Sequence, residues 1–212
     1  MKNNVSSLCQ SLPSFRPILW VLPICLLLSV TGNCSEQIVL FDGSTLDGWA
    51  HTGAGYFNVD EKDQCLVSQG GMGMLFYYDR QFEDFELNLE FSVNQEEANS
   101  GVFVRFPNLP KIDGKPHPGP WAAVNEGYEF QIQGQNTGDL YSFQEGSEVP
   151  LKEPGQYNEM KIEAIGQHYK VWVNGKQIGD YTGERSTKGY IGVQNHDPKS
   201  IVRFKNIRVT PK

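Results

Sequence analysis

Apolar and polar residues alternate in short runs from residue 56 to residue 209, and this period of two limits the fold more than any other feature of the sequence. Such alternation is typical of strands that bury one face of a sheet. The most regular apolar rows are Phe85, Leu87, Leu89 and Phe91, and later Met160, Ile162 and Ala164. No long stretch repeats with the helical period of 3.6. The sequence therefore predicts one all-β domain, a β-sandwich.

Asn174-Gly175 separates two alternating runs, residues 168–173 and 176–182. Both central residues of a type I′ turn need a positive φ, which Asn and Gly adopt more easily than other residues. These two runs are therefore predicted to pair as an antiparallel hairpin.

Residues 1–35 are predicted to be a signal peptide, which leaves residues 36–212 as the β-sandwich domain. Lys2 and Arg16 supply positive charge, and residues 18–30 form an apolar run of signal-peptide length. A membrane-spanning helix needs about 20 apolar residues, so this run is too short to cross a bilayer comfortably. The mature protein is therefore expected to carry no transmembrane segment.

Cleavage is predicted between Gly32 and Ser35, which places the mature domain in the periplasm or outside the cell. Attachment of Cys34 to lipid is the less favoured alternative, because the three residues before it match a lipoprotein signal poorly. Cys65 could pair with Cys34 only if cleavage spares Cys34, so the sequence leaves a disulfide open.

The net charge argues against two classes of partner. The chain has 18 Lys and Arg against 25 Asp and Glu, and removal of Lys2 and Arg16 leaves 16 against 25, a net charge of −9. A surface with this charge repels phosphate groups. Neither nucleic acid nor an anionic membrane is therefore expected as a partner.

Three predicted strands, residues 100–106, 127–133 and 189–196, carry an apolar row on one face and polar side chains on the other. The apolar rows are Val102, Val104 and Phe106, then Tyr128, Phe130 and Ile132, then Ile191 and Val193. The opposite rows are Phe103 and Arg105, then Glu129, Gln131 and Gln133, then Gln194 and His196. If the three strands are neighbours, the polar rows together form the floor of a site.

A polar floor of this composition suits a sugar. Planar amides, a carboxylate and an Arg pair with hydroxyl groups, and an aromatic ring covers the apolar face of the sugar. The alternative is a solvated sheet face, which is polar in any sandwich. Amides and a single Arg are less typical of such faces than Lys, Glu and Thr, which favours a binding site.

Two long irregular segments flank this floor. Residues 107–125 contain five prolines and no alternation, which predicts a loop, and they include Lys111, Asp113, His117 and Trp121. Loops of this length in compact domains are usually functional or disordered, so we expect a lid or wall over one sheet. Residues 134–156 form a second irregular stretch that could border the same place.

Several families of enzymes are excluded because the sequence lacks their characteristic motifs. The sequence has no glycine-rich phosphate loop, no G-x-S-x-G, no H-E-x-x-H, no C-x-x-C and no calcium loop. Glu126 and Glu129 are three apart, so on a strand they face opposite ways and cannot be a hydrolytic pair. No cofactor is expected, although a divalent metal held by His196, Asp197 and a loop His is left open.

Six segments, taken in order, resemble the 3-keto-disaccharide hydrolase domain family over nearly all of residues 38–210. They are LFDGSTLDGW (40–49), NSGVFVRF (99–106), GYEFQIQ (127–133), TGDLY (137–141), YNEMKIEAIGQHYKVWVNGKQI (157–178), and GYIGVQNH with VRFKNIRV (189–209). The resemblance implies a concanavalin A-like jelly-roll β-sandwich of two antiparallel sheets, in an exported protein that acts on carbohydrate.

The chemistry that the resemblance implies needs one base and one group that stabilises an enolate. A ketone at C3 of a sugar acidifies the C2 proton, and after its removal the C1 substituent leaves and water adds. By similarity, His196 is the first choice for the base and Glu129 the second. The substrate-binding residues implied are Arg105, Gln131, Gln194, Trp121 and Tyr141.

This sequence also departs from related patterns. It lacks the Glu-x-Asp-x-x-Glu run of glucanases with the same fold, so ordinary retaining hydrolysis is disfavoured. Gly134 follows Gln133 where many members of the family continue towards an acid. Three hypotheses stay open: an enzyme that cleaves 3-keto-glycosides, a lectin-like domain that only binds sugar, and a structural or adhesive β-sandwich.

Overall fold

The computed structural model of the protein describes residues 36–108 and 120–212. The predicted signal peptide, including Cys34, lies outside the described residues. So do three residues of the predicted lid, Lys111, Asp113 and His117. Among the described residues, no helix combines the length and the apolar character that crossing a membrane requires.

The regular secondary structure of the described residues is almost entirely β. Their strands are β1 (Ile38–Phe41), β2 (Trp49–Gly53), β3 (Tyr56–Asp60), β4 (Cys65–Gln69), β5 (Gly73–Phe82), β6 (Phe85–Val93), β7 (Ser100–Phe106), β8 (Tyr128–Ile132), β9 (Asn158–Ile165), β10 (His168–Val173), β11 (Lys176–Thr182), β12 (Gly189–Asn195) and β13 (Val202–Pro211). One α-helix, α1 (Trp121–Glu126), precedes β8, and a 3₁₀ turn (Gly134–Asn136) follows it.

The strands form two antiparallel sheets. The larger sheet has the order β11-β10-β9-β6-β13-β4-β3, with β1 paired to β13, and the smaller sheet has the order β2-β5-β12-β7-β8. The predicted sandwich of two antiparallel sheets is therefore confirmed. The three strands that carry polar rows, β7, β8 and β12, are neighbours in the smaller sheet.

One hydrophobic core lies between the sheets. The predicted apolar rows on β6 and β9 are buried in it, as are Val102, Val104, Phe130, Ile191 and Val193 from the smaller sheet. Alternation explains this arrangement, because each strand sends every second side chain inward. The inner face of the smaller sheet is thus apolar, and its outer face is available for a site.

The Asn174-Gly175 hairpin is confirmed. Strands β10 and β11 pair with Val173 opposite Lys176, and the two turn residues have φ values of 49° and 79°. The positive φ at both positions is what a type I′ turn requires.

Strand β7 contains a bulge at Arg105. Val104 pairs with Ile191 on β12 and Phe106 pairs with Tyr190, so Arg105 is one residue too many, and its φ is 57°. An extra residue reverses the alternation beyond it. The prediction that Arg105 shares the outer face with Phe103 is therefore wrong, and Phe106 takes that face instead.

Helix α1 packs on the outer face of the smaller sheet. Its Ala123 joins a second, small apolar cluster formed by Met74, Phe76, Phe103 and Phe106. The prediction of a loop over residues 107–125 is wrong for the last five residues, which begin this helix. The helix starts directly after Pro120, the last of the five prolines. Proline has no backbone N–H to donate within a helix, so it is tolerated at the start of a helix and not in its interior.

Candidate functional site

A pocket of about 250 Å³ lies on the outer face of the smaller sheet, beside α1. We call it the amide pocket. It is lined by Met72, Asn99, Pro120, Trp121, Val124, Glu129, Gln131, Gln133, Tyr141, Gln194 and His196. Six of the seven residues predicted for the site therefore lie around one space, and only Arg105 does not.

Arg105 is fully buried and points toward the larger sheet. Its Nε donates to the carbonyl of Glu83 at 3.0 Å, and its two Nη atoms donate to Tyr169 Oη at 2.9 Å and Ala164 O at 3.1 Å. Further bonds reach Gly166 O and the carboxylate of Asp84. Arg105 thus ties the two sheets together, and the prediction that it binds substrate from the floor is wrong in its geometry.

The floor of the amide pocket depends on the absence of a Cβ at Gly101. Gln131 is opposite Gly101 on the neighbouring strand, and Val102 is opposite Val193, which places Gln194 on the other side of Gly101. A Cβ at Gly101 would lie 2.8 Å from Cγ of Glu129, so the carboxyl group occupies the space above the glycine. Glu129 and the two amides therefore meet over Gly101.

Burial raises the pKa of Glu129 to about 8, and a side-chain hydrogen bond with Gln194 opposes part of that rise. Only 4% of the residue is exposed. A carboxylate loses hydration in such a place, which favours the neutral acid. At neutral pH Glu129 is therefore mostly a carboxylic acid that can donate a hydrogen bond.

His196 follows the end of β12 and is held by its neighbour in sequence. Its Nδ1 lies 3.1 Å from Asp197 Oδ2, which also accepts from Ser200 Oγ at 2.7 Å. Burial alone raises the pKa of Asp197, but hydrogen bonds from Ser200, His196 and Lys199 lower it to about 2. The carboxylate fixes the proton of a neutral imidazole on Nδ1, which leaves Nε2 as the basic nitrogen.

Three amide oxygens that line the amide pocket lack a hydrogen-bond partner. Asn99 Oδ1, Gln131 Oε1 and Gln194 Oε1 are buried and accept no hydrogen bond from the described residues. The nitrogen of Gln131 is engaged, because it donates to Gln133 Oε1 at 3.0 Å. A buried acceptor without a donor is unfavourable, so these oxygens fit a ligand whose hydroxyl groups donate hydrogen bonds to them.

Helix α1 and the segment around Tyr141 form the sides of the amide pocket and are hydrogen-bonded to their neighbours. Arg185 donates to the carbonyls of Val124 and Gly127 at the end of α1. Tyr141 N donates to Glu129 O at 2.9 Å, which extends the sheet beyond β8. Trp121 is 45% exposed and Tyr141 is 38% exposed, so both present rings at the mouth of the pocket. The second irregular segment does border the site, as the sequence suggested.

Sequence reasoning missed two residues that matter here. Asn99 directly precedes β7 and gives no signal of its own. Asp197 is named above only as a possible metal ligand beside His196, whereas in the structure it holds the imidazole of His196. A carboxylate next to a histidine in sequence is the only signal that could have found it.

The described residues contain no group of three or more His, Cys, Asp and Glu side chains arranged to hold a metal. His196 and Asp197 lie together, while His117 of the predicted lid lies outside the described residues. Among the described residues Cys65 is a buried thiol without a disulfide partner, while Cys34 lies outside them.

Solved structures with a similar fold come from several proteins. Two candidate glycosyl hydrolases from Parabacteroides distasonis ATCC 8503 match with TM-scores of 0.67 and 0.64, at 19% and 22% identity. The matches cover 83% and 84% of this chain and 94% and 100% of those chains. A carbohydrate-binding module, CBM66 from Bacillus subtilis, matches with a TM-score of 0.54 at 13% identity, over 77% of this chain and 95% of the module.

At these identities the structures establish the fold, a jelly-roll β-sandwich, and no more. No curated protein sequence matches the chain significantly. A family model does match, over residues 36–210, and it describes a 3-keto-alpha-glucoside-1,2-lyase-like domain. This match spans most of the chain and confirms the resemblance seen in the six sequence segments. The protein therefore belongs to the family of 3-keto-alpha-glucoside-1,2-lyase-like domains.

Proposed function

We propose that this protein cleaves 3-keto-glycosides by removing the C2 proton, eliminating the C1 substituent and adding water. Membership of the family makes it a carbohydrate-related domain and supports a 3-keto-glucoside as substrate. The observation that carries the proposal is the amide pocket, where a neutral carboxylic acid and unpartnered amide oxygens lie beside a histidine. These groups match a ketone oxygen, sugar hydroxyls and an acidic C–H respectively.

The amide oxygens of Asn99, Gln131 and Gln194 accept hydrogen bonds from the hydroxyl groups of the sugar. These bonds replace the partners that the buried oxygens lack in the free protein. Trp121 or Tyr141 covers the apolar face of the ring. The sugar is then fixed with its C3 oxygen toward Glu129.

His196 Nε2 is the base that takes the C2 proton. The electron pair of the C2–H bond moves into the enolate, whose C3 oxygen accepts a hydrogen bond from the neutral Glu129 carboxyl. The electrons then form the C1–C2 double bond as the bond from C1 to the leaving oxygen breaks. The departing oxygen takes up the proton that His196 removed from C2, and water adds across the double bond to complete a net hydrolysis.

Asp197 stabilises the imidazolium that forms when His196 takes the proton. Its carboxylate stays ionised above about pH 2, so it faces the cation throughout the neutral range. Glu129 has the opposite requirement, because it donates only while it is protonated. The division of labour follows from environment: one carboxyl is held charged by hydrogen bonds and the other is kept neutral by burial.

The test is release of the aglycone from p-nitrophenyl 3-keto-α-glucoside by the purified protein, with the unoxidised glucoside as the substrate control. His196→Ala is expected to lower kcat by about 10²- to 10⁴-fold, the usual contribution of a general base. Glu129→Gln should lower it by a similar factor. His168→Ala, an exposed histidine on β10 of the other sheet, should leave it unchanged. Unchanged release from the His196→Ala variant would overturn the assignment of the base.

The proposed reaction draws only on these side chains, and metal dependence is checked in the same assay. Release should be unaffected by dialysis against EDTA and by added Mg²⁺, Ca²⁺ or Mn²⁺. If EDTA abolished activity and a divalent cation restored it, the reaction would require a metal that the mechanism above omits.

We further propose export, which cell fractionation and N-terminal sequencing of the mature protein would test.

A second candidate function is a domain that binds sugar without reacting. The unpartnered amide oxygens favour it, because they serve binding as well as catalysis. The distinguishing result is tight binding of an unoxidised glycoside together with no turnover of the 3-keto-glycoside. Equal binding by wild-type protein and His196→Ala would fit that outcome.

A further inference from the structure

Two loops meet beside the amide pocket. One joins β6 to β7 (residues 94–99), and the other joins β12 to β13 (residues 196–201). Asn99 ends the first loop and His196 begins the second, and both line the pocket. The contacts between the two loops therefore set the distance between the proposed base and one of the unpartnered amide oxygens.

The far ends of the two loops are tied by Asn94, which is exposed. Its Nδ2 donates to Lys199 O at 2.9 Å, and its Oδ1 accepts from Ile201 N at 2.9 Å. Asn94 N also donates to Ile201 O at 3.1 Å. These bonds hold the loops together and involve neither Asn99 nor His196.

The near ends of the loops are tied by Ser200, which is only 2% exposed. Its Oγ accepts from Asn99 N at 2.8 Å and donates to Asp197 Oδ2 at 2.7 Å. That same carboxylate oxygen lies 3.1 Å from His196 Nδ1. A hydroxyl group has one proton and two lone pairs, so it makes both bonds at once. Hydrogen bonds thus run without a gap from Asn99 to the imidazole of His196.

The Ser200 hydroxyl can be removed without releasing Asp197. The second carboxylate oxygen, Oδ1, accepts from Lys199 N at 2.8 Å and from Ser200 N at 3.1 Å, and both donors are backbone groups. Without the hydroxyl, Asp197 keeps these two bonds, but Oδ2 loses the donor that fixes its direction toward His196. Asn99 N loses its acceptor as well. The role of Ser200 is thereby separable from that of the carboxylate.

We propose that Ser200 is a positioning residue, which holds the imidazole of His196 at a fixed place relative to Asn99. Its effect on turnover rests on the proposed function, whereas the order that it gives the imidazole does not. A displacement of about 1 Å at a reacting group can lower the rate about 10²-fold. The hydroxyl of Ser200 therefore matters to the reaction, although Ser200 does not line the pocket.

The first test observes the free protein by NMR. The proton on His196 Nδ1 faces Asp197, so it should give a low-field signal, assigned by its absence from His196→Ala. Ser200→Ala should lose this signal through exchange with water, and Ser200→Thr, which keeps the hydroxyl, should retain it. Asn94→Ala is the matched control, because it removes the outer ties between the same loops, and it should also retain the signal. Urea denaturation establishes that each variant is folded.

The second test measures release from p-nitrophenyl 3-keto-α-glucoside. Ser200→Ala should lower kcat about 10- to 100-fold and change KM by less than about threefold, because the base is displaced while the other amide oxygens stay in place. Ser200→Thr should keep kcat within about threefold of the wild type, and Asn94→Ala within about twofold.

Three results would overturn the proposal. They are an unchanged signal and kcat in Ser200→Ala, equal losses in Ser200→Ala and Asn94→Ala, and a folded Ser200→Thr variant that is as impaired as Ser200→Ala. If Ser200→Thr does not fold, the comparison of Ser200→Ala with Asn94→Ala decides by itself. Loss of the signal with unchanged kcat would reject the effect on turnover. No release by the wild type, with the NMR pattern as expected, would remove the proposed reaction and keep Ser200 as the residue that orders His196.

Discussion

Two places in this protein bury polar side chains of similar size, and they treat them in opposite ways. Around Arg105, all three guanidinium nitrogens donate to oxygens of Glu83, Asp84, Ala164, Gly166 and Tyr169. In the amide pocket, the buried oxygens of Asn99, Gln131 and Gln194 have no donor among the described residues. The first arrangement is complete in the folded chain, and the second is incomplete.

The contrast separates structure from function without reference to any relative. A buried acceptor left without a partner costs about 1–3 kcal/mol, so selection for stability alone would not favour three in one wall. A polar group that is fully satisfied by the protein has nothing to offer a ligand. We therefore assign Arg105 to the fold and propose the amides as ligand-binding groups.

The largest effect is expected from Arg105→Ala. The substitution leaves several buried carbonyls without a donor, and breaking a buried charged contact costs about 3–5 kcal/mol. Urea denaturation followed by tryptophan fluorescence measures this loss. Arg80→Ala, on the exposed part of β5, is the matched control and should change the free energy of unfolding by less than about 1 kcal/mol.

One outcome would reverse the comparison. If Arg105→Ala kept its stability within about 1 kcal/mol and lost sugar binding, Arg105 would be a ligand residue, as the sequence pattern first suggested.

The site is predictable from the sequence where alternation is unbroken and not elsewhere. The alternation of β8 and β12 is uninterrupted, so it correctly predicts that Glu129, Gln131 and Gln194 share a face. The prediction for Arg105 is wrong because a one-residue bulge on β7 reverses the alternation and leaves no mark in the sequence. A bulge is set by contacts between strands: at Gly189 on β12, a Cβ would lie 2.7 Å from Cα of Arg105.

The walls of the pocket were harder to predict than its floor. Tyr141 and Trp121 lie in segments without periodicity, and nothing local shows that they meet at one sheet. Asp197 resembles an ordinary turn residue until the structure places it on His196. Sequence patterns report which face a residue takes, whereas loops are placed by tertiary contacts that the patterns do not contain.

The second effect is a pH dependence of stability that comes from Glu129. Its pKa is about 8 in the folded protein, against an ordinary value of 4.5 for a glutamic acid. The folded state therefore binds the extra proton between these values, and the stability that it contributes is present below pH 4.5 and lost as pH rises through 8. Between pH 5 and pH 8 the loss should be on the order of 3 kcal/mol.

Glu129→Gln tests this directly, because it removes the titration and keeps the shape. The free energy of unfolding of the variant should fall less between pH 5 and pH 8 than that of the wild type. Glu159→Gln, an exposed glutamate on β9, is the control and should follow the wild-type profile. Parallel profiles for Glu129→Gln and wild type would mean that Glu129 is ionised in the folded protein, which would also remove the acid from the proposed mechanism.

The third effect is expected from Gly101→Ala. The added methyl group takes the space that the Glu129 side chain occupies, and overpacking of this kind costs about 1–3 kcal/mol. Displacement of the carboxyl should also lower kcat by more than the loss of folded protein explains. Gly166→Ala is a contrasting control, because a Cβ there meets nothing within 4 Å and its positive φ of 54° gives only backbone strain. Full activity in Gly101→Ala would show that Glu129 need not sit over the glycine.

The smallest effect has the opposite sign, and it tests the comparison most sharply. Gln194→Met keeps the volume of the side chain and removes the buried oxygen that lacks a partner. The variant should be more stable than the wild type by about 0.5–1 kcal/mol, and it should lose affinity for glycosides. Gln177→Met, on the exposed part of β11, should change neither quantity. A loss of stability above about 1 kcal/mol would mean that the hydrogen bond between Gln194 and Glu129 outweighs the cost of the unpartnered oxygen, and that the floor is as complete as the Arg105 cluster.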